Sequence, residues 1–211
     1  PKGEVMRRIA PGMTSIMLDI ENGQTIPSFA KQLLGAYPSL DIVVHNAGIM
    51  RLEKLQAAPG YLADAEAMIA TNLLGPVRLT SALLPHLLKQ PSATILTVTS
   101  GLAFIPLADF PTYCATKAAI HSYTESLRHQ LRDTKVEVIE VAPPYVQTEL
   151  TGAHQLSDPH AMPLAEYIAE TMKLLASSPT PKEILVERVK PLRFAAKGDY
   201  DTLYREFNGR I

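Results

Sequence analysis

With 211 residues, 46% of them hydrophobic and 19% charged, the chain has the makeup of an ordinary globular protein and can bury one substantial core. A formal charge of −1 removes any electrostatic case for nucleic acid or an acidic membrane surface as partner. One cysteine cannot close an internal disulfide, no uninterrupted apolar stretch reaches the roughly 18–20 residues of a membrane span, and no signal peptide is recognisable, so a cytoplasmic protein is expected.

Apolar, β-branched strand patterns alternate with helical ones along the chain. Thr14–Asp19 reads as a strand and Ile26–Ala36 as a helix. Leu40–His45 is a second strand, so apolar that both of its faces should be covered. A long helical region spans about Ala63 to Leu88, punctuated by Gly75-Pro76 and Pro85. Ala93–Val98 is a third strand. Pro111 suits the first turn of a helix running to about Arg132, and Lys135–Val141 is a fourth strand. A polar segment, a helix near Leu164–Ala176, an apolar strand Glu183–Glu187 and a short helix near Tyr200–Phe207 complete the chain. Strands alternating with helices predict an α/β fold, a doubly wound parallel sheet of Rossmann-like type. Ligands bind such sheets beyond the carboxyl ends of the strands.

The polar residues that draw notice lie at those ends or on the helix that follows. Tyr113 and Lys117 are four residues apart within the predicted helix, which puts their β-carbons on one face, about 5–6 Å from each other. A nearby ammonium favours the phenolate, whose parent phenol has a pKa of about 10, and so makes the tyrosine a usable acid or base. Ser100 ends the third strand, thirteen residues before Tyr113. Asn46-Ala47-Gly48 follows the second strand, where small residues let a ligand approach the backbone; an ordinary turn has the same composition. Asn72 falls inside a helical pattern, either solvated or bonded to the backbone as a mid-helix Asn usually is, or marking a kink whose freed carbonyl holds a water.

Taken in order, Asp19 at a strand end, Asn46-Ala-Gly48, Asn72, Ser100, Tyr113-x-x-x-Lys117 and Pro143-Pro144-Tyr-Val146-Gln-Thr148 resemble the motifs of the short-chain dehydrogenase/reductase family over nearly the whole chain. The wording at 142–148 and the ending Ile184–Val189 are similar to the branch named after D-alanine esterification of teichoic acids. The resemblance implies an NAD(P)-dependent oxidoreductase interconverting a carbonyl and an alcohol on a small-molecule substrate, with NAD versus NADP left open. It implies Tyr113 as general acid/base, Lys117 lowering the Tyr113 pKa and holding the nicotinamide ribose, Ser100 placing the substrate oxygen, and Asn72 keeping a water in a proton relay. Asp19 and the backbone of Ile20 would meet the adenine edge, and Asn46, Ala47 and Gly48 the adenosine side. Pro143, Val146 and Thr148 would contact the nicotinamide half, with the Val146 backbone on the carboxamide. Helix 111–132 resembles the helix that builds the family's homodimer, so a homodimer or homotetramer is implied.

Two departures stand out. Pro144 occupies a position where the family usually has glycine, which removes one N–H donor. The family also opens with a strand, a glycine-rich phosphate-binding turn, a helix and a second strand, and no G-x-x-x-G-x-G occurs in these 211 residues. The expectation is a single dinucleotide-binding domain over 1–211 that lacks the first β-α-β unit, either as a piece of a longer protein or as a shortened form. A shortened form could serve as an inactive sensor or scaffold, and an isomerase or dehydratase would keep the Tyr-Lys pair without net redox change. In the family's sheet the two absent strands separate 14–19 from 40–45, which leaves the first segment without neighbours.

Cys114 reads as a small buried apolar residue, and the six histidines show no paired metal spacing, so no metal site is expected. Phe104, Ile105 and Pro106 either border the substrate pocket or pack. Glu149–Met162 has the polar, proline-containing composition of a mobile lid or of any surface loop.

Overall fold

The computed structural model describes residues 12–57 and 59–209. Four parallel strands, β1 (Ile42–His45), β2 (Ala93–Val98), β3 (Val136–Val141) and β4 (Glu183–Ile184), form one sheet in the order β1-β2-β3-β4. Helices α1 (Ile26–Ala36), α2 (Leu62–Ile69), α3 (Gly75–Leu87), α4 (Pro111–Gln130), α5 (Leu164–Leu175), α6 (Lys190–Arg193) and α7 (Tyr200–Asn208) occupy the connections. Alternation within the strands divides the core. Val43, Ile95 and Val138 face one way, onto Ala30 of α1, Leu83 and Leu87 of α3 and Leu127 of α4. Leu96, Val98, Ile139 and Val141 face the other way, onto Leu174 and Leu175 of α5.

Three expectations need correction. Thr14–Asp19 is not a strand: no strand lies alongside it among the described residues, and an extended segment without a ladder partner is not a sheet element. β1 is covered on one face only, since Ile42 and Val44 are 55% and 54% exposed while Val43 and His45 are buried. β4 is two residues long rather than five. Its partner β3 ends in register at Val141↔Ile184, and Pro143 and Pro144 beyond it have no N–H to extend a ladder.

The long helix predicted near 63–88 is broken by a π-turn over Ala70–Leu74, where the Gly75 N–H reaches back to the Ala70 carbonyl. Pro76 supplies the cause, because it has no N–H for the Asn72 carbonyl four residues earlier. The run Leu62–Leu87 is long and apolar enough by composition to cross a membrane, yet 44% of its apolar window is buried inside the domain, where Met68, Leu83 and Leu87 pack.

Candidate active site

The carboxyl ends of β1, β2 and β3 and the first turns of α4 converge on one corner. Pro111 at the start of α4 brings Tyr113 and Lys117 onto the face toward the sheet, where each is 5% exposed. The Lys117 Nζ donates to the Val98 carbonyl at 2.8 Å and lies 5.6 Å from the centre of the Tyr113 ring. Ser100, two residues past Val98, lies close enough to the Tyr113 phenol to act on it, and its Oγ accepts from the Leu102 N–H at 3.1 Å. Ser100, Tyr113 and Lys117 thus share one corner, and Tyr113 and Lys117 share the helix face that their four-residue spacing predicts.

Their electrostatics differ from the expectation. Burial pushes the Tyr113 phenol up to about 12, against a smaller opposing pull from the Ser100 hydroxyl, and burial takes Lys117 down to about 8. Lys117 does not lower the Tyr113 pKa here: its ammonium stands off the ring and spends a hydrogen bond on Val98, so desolvation dominates. Tyr113 stays protonated throughout the neutral range.

Asn72, 2% exposed, sits in the π-turn and holds the loop after β1 by both backbone groups of Ile49. Its Nδ2 also donates to Thr116 Oγ1 at 3.2 Å, and that hydroxyl donates to the Tyr113 carbonyl at 2.7 Å. The unusual turn therefore connects directly to the helix that carries the tyrosine. Gly48 leaves space beside them, since a Cβ there would lie 3.5 Å from Asn72 Oδ1 and 3.7 Å from Lys117 Nζ. Asn46 and Ala47 are exposed at the mouth. Ile20 packs on Gly75, where a Cβ would come within 2.7 Å of Ile20 Cγ1, and so Asp19 and Ile20 border the start of α3. Pro143, Val146 and Thr148 follow the carboxyl end of β3, where the Pro143 carbonyl accepts from the Gly101 N–H at 2.9 Å.

Several residues at this corner carried no sequence signal. Glu53, 4% exposed, accepts from both the N–H and the hydroxyl of Thr112, at 2.8 and 2.7 Å. Met50 and Met68 pack around Tyr113 and Cys114. Gln155, 3% exposed, ties the segment after Val146, so Glu149–Met162 is anchored rather than a loose lid. Phe104 resolves to packing, edge-on to His121 at 4.9 Å and beneath the Arg193 guanidinium at 4.6 Å, and Ile105 is fully buried.

The structure also brings His121, Glu140 and Glu183 together with ligand-type atoms within 4.8 Å, a grouping that spacing could not reveal. Those atoms are already paired. Glu140 accepts from Thr99 Oγ1 at 2.7 Å and meets His121 Nδ1 at 2.8 Å, while Glu183 accepts two bonds from Arg193 at 2.8 and 2.9 Å. An arginine already seated on one carboxylate makes this an ion-pair network rather than a cation site.

Known proteins resemble this chain in sequence and in fold. The oxidoreductase DltE of Bacillus subtilis (strain 168), itself described as uncharacterized, is 40% identical over 202 residues, covering 94% of this chain and 79% of that protein. A short-chain dehydrogenase structure from Streptomyces avermitilis superposes with a TM-score of 0.77 at 22% identity, covering 98% of this chain and 81% of the other. A metagenomic short-chain oxidoreductase crystallised with NADP gives a TM-score of 0.60 at 29% identity, covering 67% and 66% of the two chains. The family described as short chain dehydrogenase matches residues 4–158, a span that holds Asn72, Ser100, Tyr113 and Lys117 together, and the chain belongs to that family.

Proposed function

We propose that this protein interconverts a carbonyl and an alcohol on a small, fairly apolar molecule, using a nicotinamide dinucleotide. The observation that carries the reading is the convergence of Ser100, Tyr113 and Lys117 in a buried corner, with Asn72 tying the adjoining loop to the same helix. The site has donors to spare for such a cofactor. Lys117 uses one of its three N–H bonds, and the Val146 N–H has no acceptor among the described residues. Gly48 leaves room beside the Lys117 amine. The NADP bound to the metagenomic relative supports the same class of cofactor.

The cofactor supplies the hydride; the protein's residues position the substrate and manage the proton. Ser100 Oγ donates to the substrate oxygen and holds it beside the phenol. Tyr113, kept protonated by burial, gives its proton to that oxygen during reduction and takes one back during oxidation. Lys117 turns its remaining donors to ribose hydroxyls, and Asn72 fixes the turn behind it. Asp19, Ile20 and Asn46–Gly48 serve the adenosine half, and Pro143, Val146 and Thr148 the nicotinamide half.

Separate titrations with NADH and NADPH, followed by nicotinamide fluorescence, test this reading. Saturable binding of one or both is expected, with the preferred nucleotide consumed when carbonyl compounds are added. Binding of neither would leave a non-catalytic dinucleotide fold, and binding without net consumption an isomerase or dehydratase.

A further inference from the structure

Beyond β3 the chain must be held by something other than the sheet. Pro143 and Pro144 end the ladder; the Pro143 carbonyl still accepts from the Gly101 N–H at 2.9 Å, and after it comes a single parallel bridge between Val146 and Met162. In it the Met162 N–H donates to the Tyr145 carbonyl at 2.8 Å, and the Gln147 N–H donates to the Met162 carbonyl at 2.9 Å. The N–H and C=O of Val146 itself point away from Met162, as parallel pairing requires. The carbonyl is taken by Gln155 Nε2 at 2.6 Å, while the N–H has no acceptor among the described residues.

Gln155 does more than hold this carbonyl. Its Nε2 also donates to Thr148 Oγ1 at 3.1 Å, and its Oε1 accepts from the N–H and the hydroxyl of Thr151 at 3.0 and 2.8 Å. Both amide donors and both acceptor sites are in use, the full capacity of a glutamine. Gly152, at φ 126°, makes the reversal that brings the side chain back under the segment it binds. On either side of Gln155, Ala153, His154, Leu156 and Ser157 are exposed. One buried amide therefore sets the path of residues 146–151. An amide at 3% exposure is tolerable only because every bond is made.

We infer that Gln155 is a positioning residue for the nicotinamide half of the cofactor: by fixing the Val146 carbonyl and the Thr148 hydroxyl, it aims the Val146 N–H into the site. This rests on the dehydrogenase reading above. Gln155 touches neither cofactor nor substrate in this account, and its influence runs through the 146–148 loop. The outer end of the segment has its own ties, from Tyr145 to Asp158 at 2.9 Å and from Gln147 Nε2 to the Asp158 carbonyl at 3.2 Å. Loss of Gln155 should therefore loosen the inner loop and leave the outer one closed.

The experiment compares wild type with Gln155→Leu, which removes all four bonds, and with Gln155→Glu, which keeps the acceptors for Thr151 but sets an oxygen against the Val146 carbonyl. Affinities for NADH, NADPH and ADP are measured by calorimetry, alongside thermal unfolding. Both variants are expected to unfold cooperatively and to bind the preferred dinucleotide about tenfold more weakly or worse, the worth of one or two hydrogen bonds, with ADP affinity unchanged. Wild-type affinity for the dinucleotide in both variants would overturn the role of Gln155 and leave the dehydrogenase reading standing. An equal loss for ADP and dinucleotide would overturn it too, by showing a general structural effect. A wild type that binds neither dinucleotide would remove the underlying reading as well. If Gln155→Leu fails to fold, the outcome for Gln155→Glu decides.

Discussion

Asn72 closes a two-way hydrogen bond with the backbone of Ile49: its Oδ1 accepts from the Ile49 N–H and its Nδ2 donates to the Ile49 carbonyl, both at 2.9 Å. A side-chain amide thus stands in for a strand just where β1 ends and the loop carrying Gly48 begins. Asn72→Ala leaves both backbone groups of Ile49 without partners in a mostly dry setting, at a cost of about 1–3 kcal/mol in urea unfolding. Asn72→Asp keeps the acceptor but opposes an oxygen to the Ile49 carbonyl. It is expected to be no more stable than the alanine variant. An aspartate variant as stable as wild type would show that the pairing contributes little.

Tyr113→Phe removes the one hydroxyl placed to exchange a proton with a substrate held by Ser100. Reduction of a carbonyl substrate should slow by about 10²–10⁴-fold in kcat, the usual contribution of a general acid. Dinucleotide affinity should stay near that of wild type, since the ring and its packing on Met50 and Met68 remain. Undiminished turnover would end the assignment.

What the sequence made legible here is what depends on short spacing. Tyr113 and Lys117 are one helical turn apart, Ser100 ends an unmistakable apolar strand, and both boundaries of α1 follow from local pattern alone. Thr14–Asp19 misled for the complementary reason: strand propensity is local, but a strand exists only with a neighbour. Gln155, Glu53 and Glu140 were illegible because their partners lie elsewhere in the chain or across a turn. Glu140 shows this most plainly. It alternates with Val136 and Val138 on the core face of β3 and is fully buried, a position that no pattern assigns to a carboxylate until His121 and Thr99 are seen beside it. The Tyr113 pKa is illegible for a related reason, since proximity to a cation can be read from spacing and desolvation cannot.

Lys117 gives the protein an alkaline signature. Burial lowers its pKa to about 8, whereas an unfolded lysine keeps its proton to about 10.4. Between those values the unfolded chain binds more protons than the native one, so this residue makes stability rise with pH across that window. Over the same range the amine gives up its charge and one of the N–H donors that it offers to a cofactor ribose. Reductase kcat/KM should therefore fall as pH rises through about 8. In Lys117→Met the residual rate should be low and flat there, and the alkaline gain in stability should vanish; a descending limb that survives in this variant would assign it to another group.

His121 acts in the opposite direction. Its pKa is raised, chiefly by the hydrogen bond to Glu140, with further help from the charges of Glu140 and Glu125 and opposition from burial and Arg193. Glu183, paired with Arg193, completes the charged groups around it. A folded-state pKa above the unfolded value of about 6.5 means that the contribution is full below 6.5 and is lost as pH climbs through the raised value. Melting temperature should fall over that interval in wild type, and the slope should disappear in His121→Gln. Glu140→Gln should remove the same slope, because it deletes the partner that raises the histidine; a slope that persists in both variants would place its source elsewhere.

Glu53 provides the start of α4 with a cap that its own sequence lacks. Phe110 at the N-cap position makes no side-chain capping bond and Pro111 has no N–H, so the first donor of the helix is the Thr112 N–H. Glu53, fifty-nine residues earlier, accepts from that N–H and from the Thr112 hydroxyl, while its own N–H donates to the Asp109 carbonyl at 3.0 Å. The carboxylate also lies at the positive end of the helix dipole, one residue before Tyr113. Glu53→Ala should cost about 1–2 kcal/mol in stability, the range of a lost N-cap, and leave the turn carrying Tyr113 less ordered. Glu53→Gln keeps an acceptor for Thr112 and should recover part of that loss, with full recovery excluded by the missing charge. The decisive measurement is amide exchange at Thr112 and Tyr113, set against a distant helix such as α5. Faster exchange confined to the first turn of α4 is expected in the alanine variant, and uniform acceleration or none would show that Glu53 does not cap this helix.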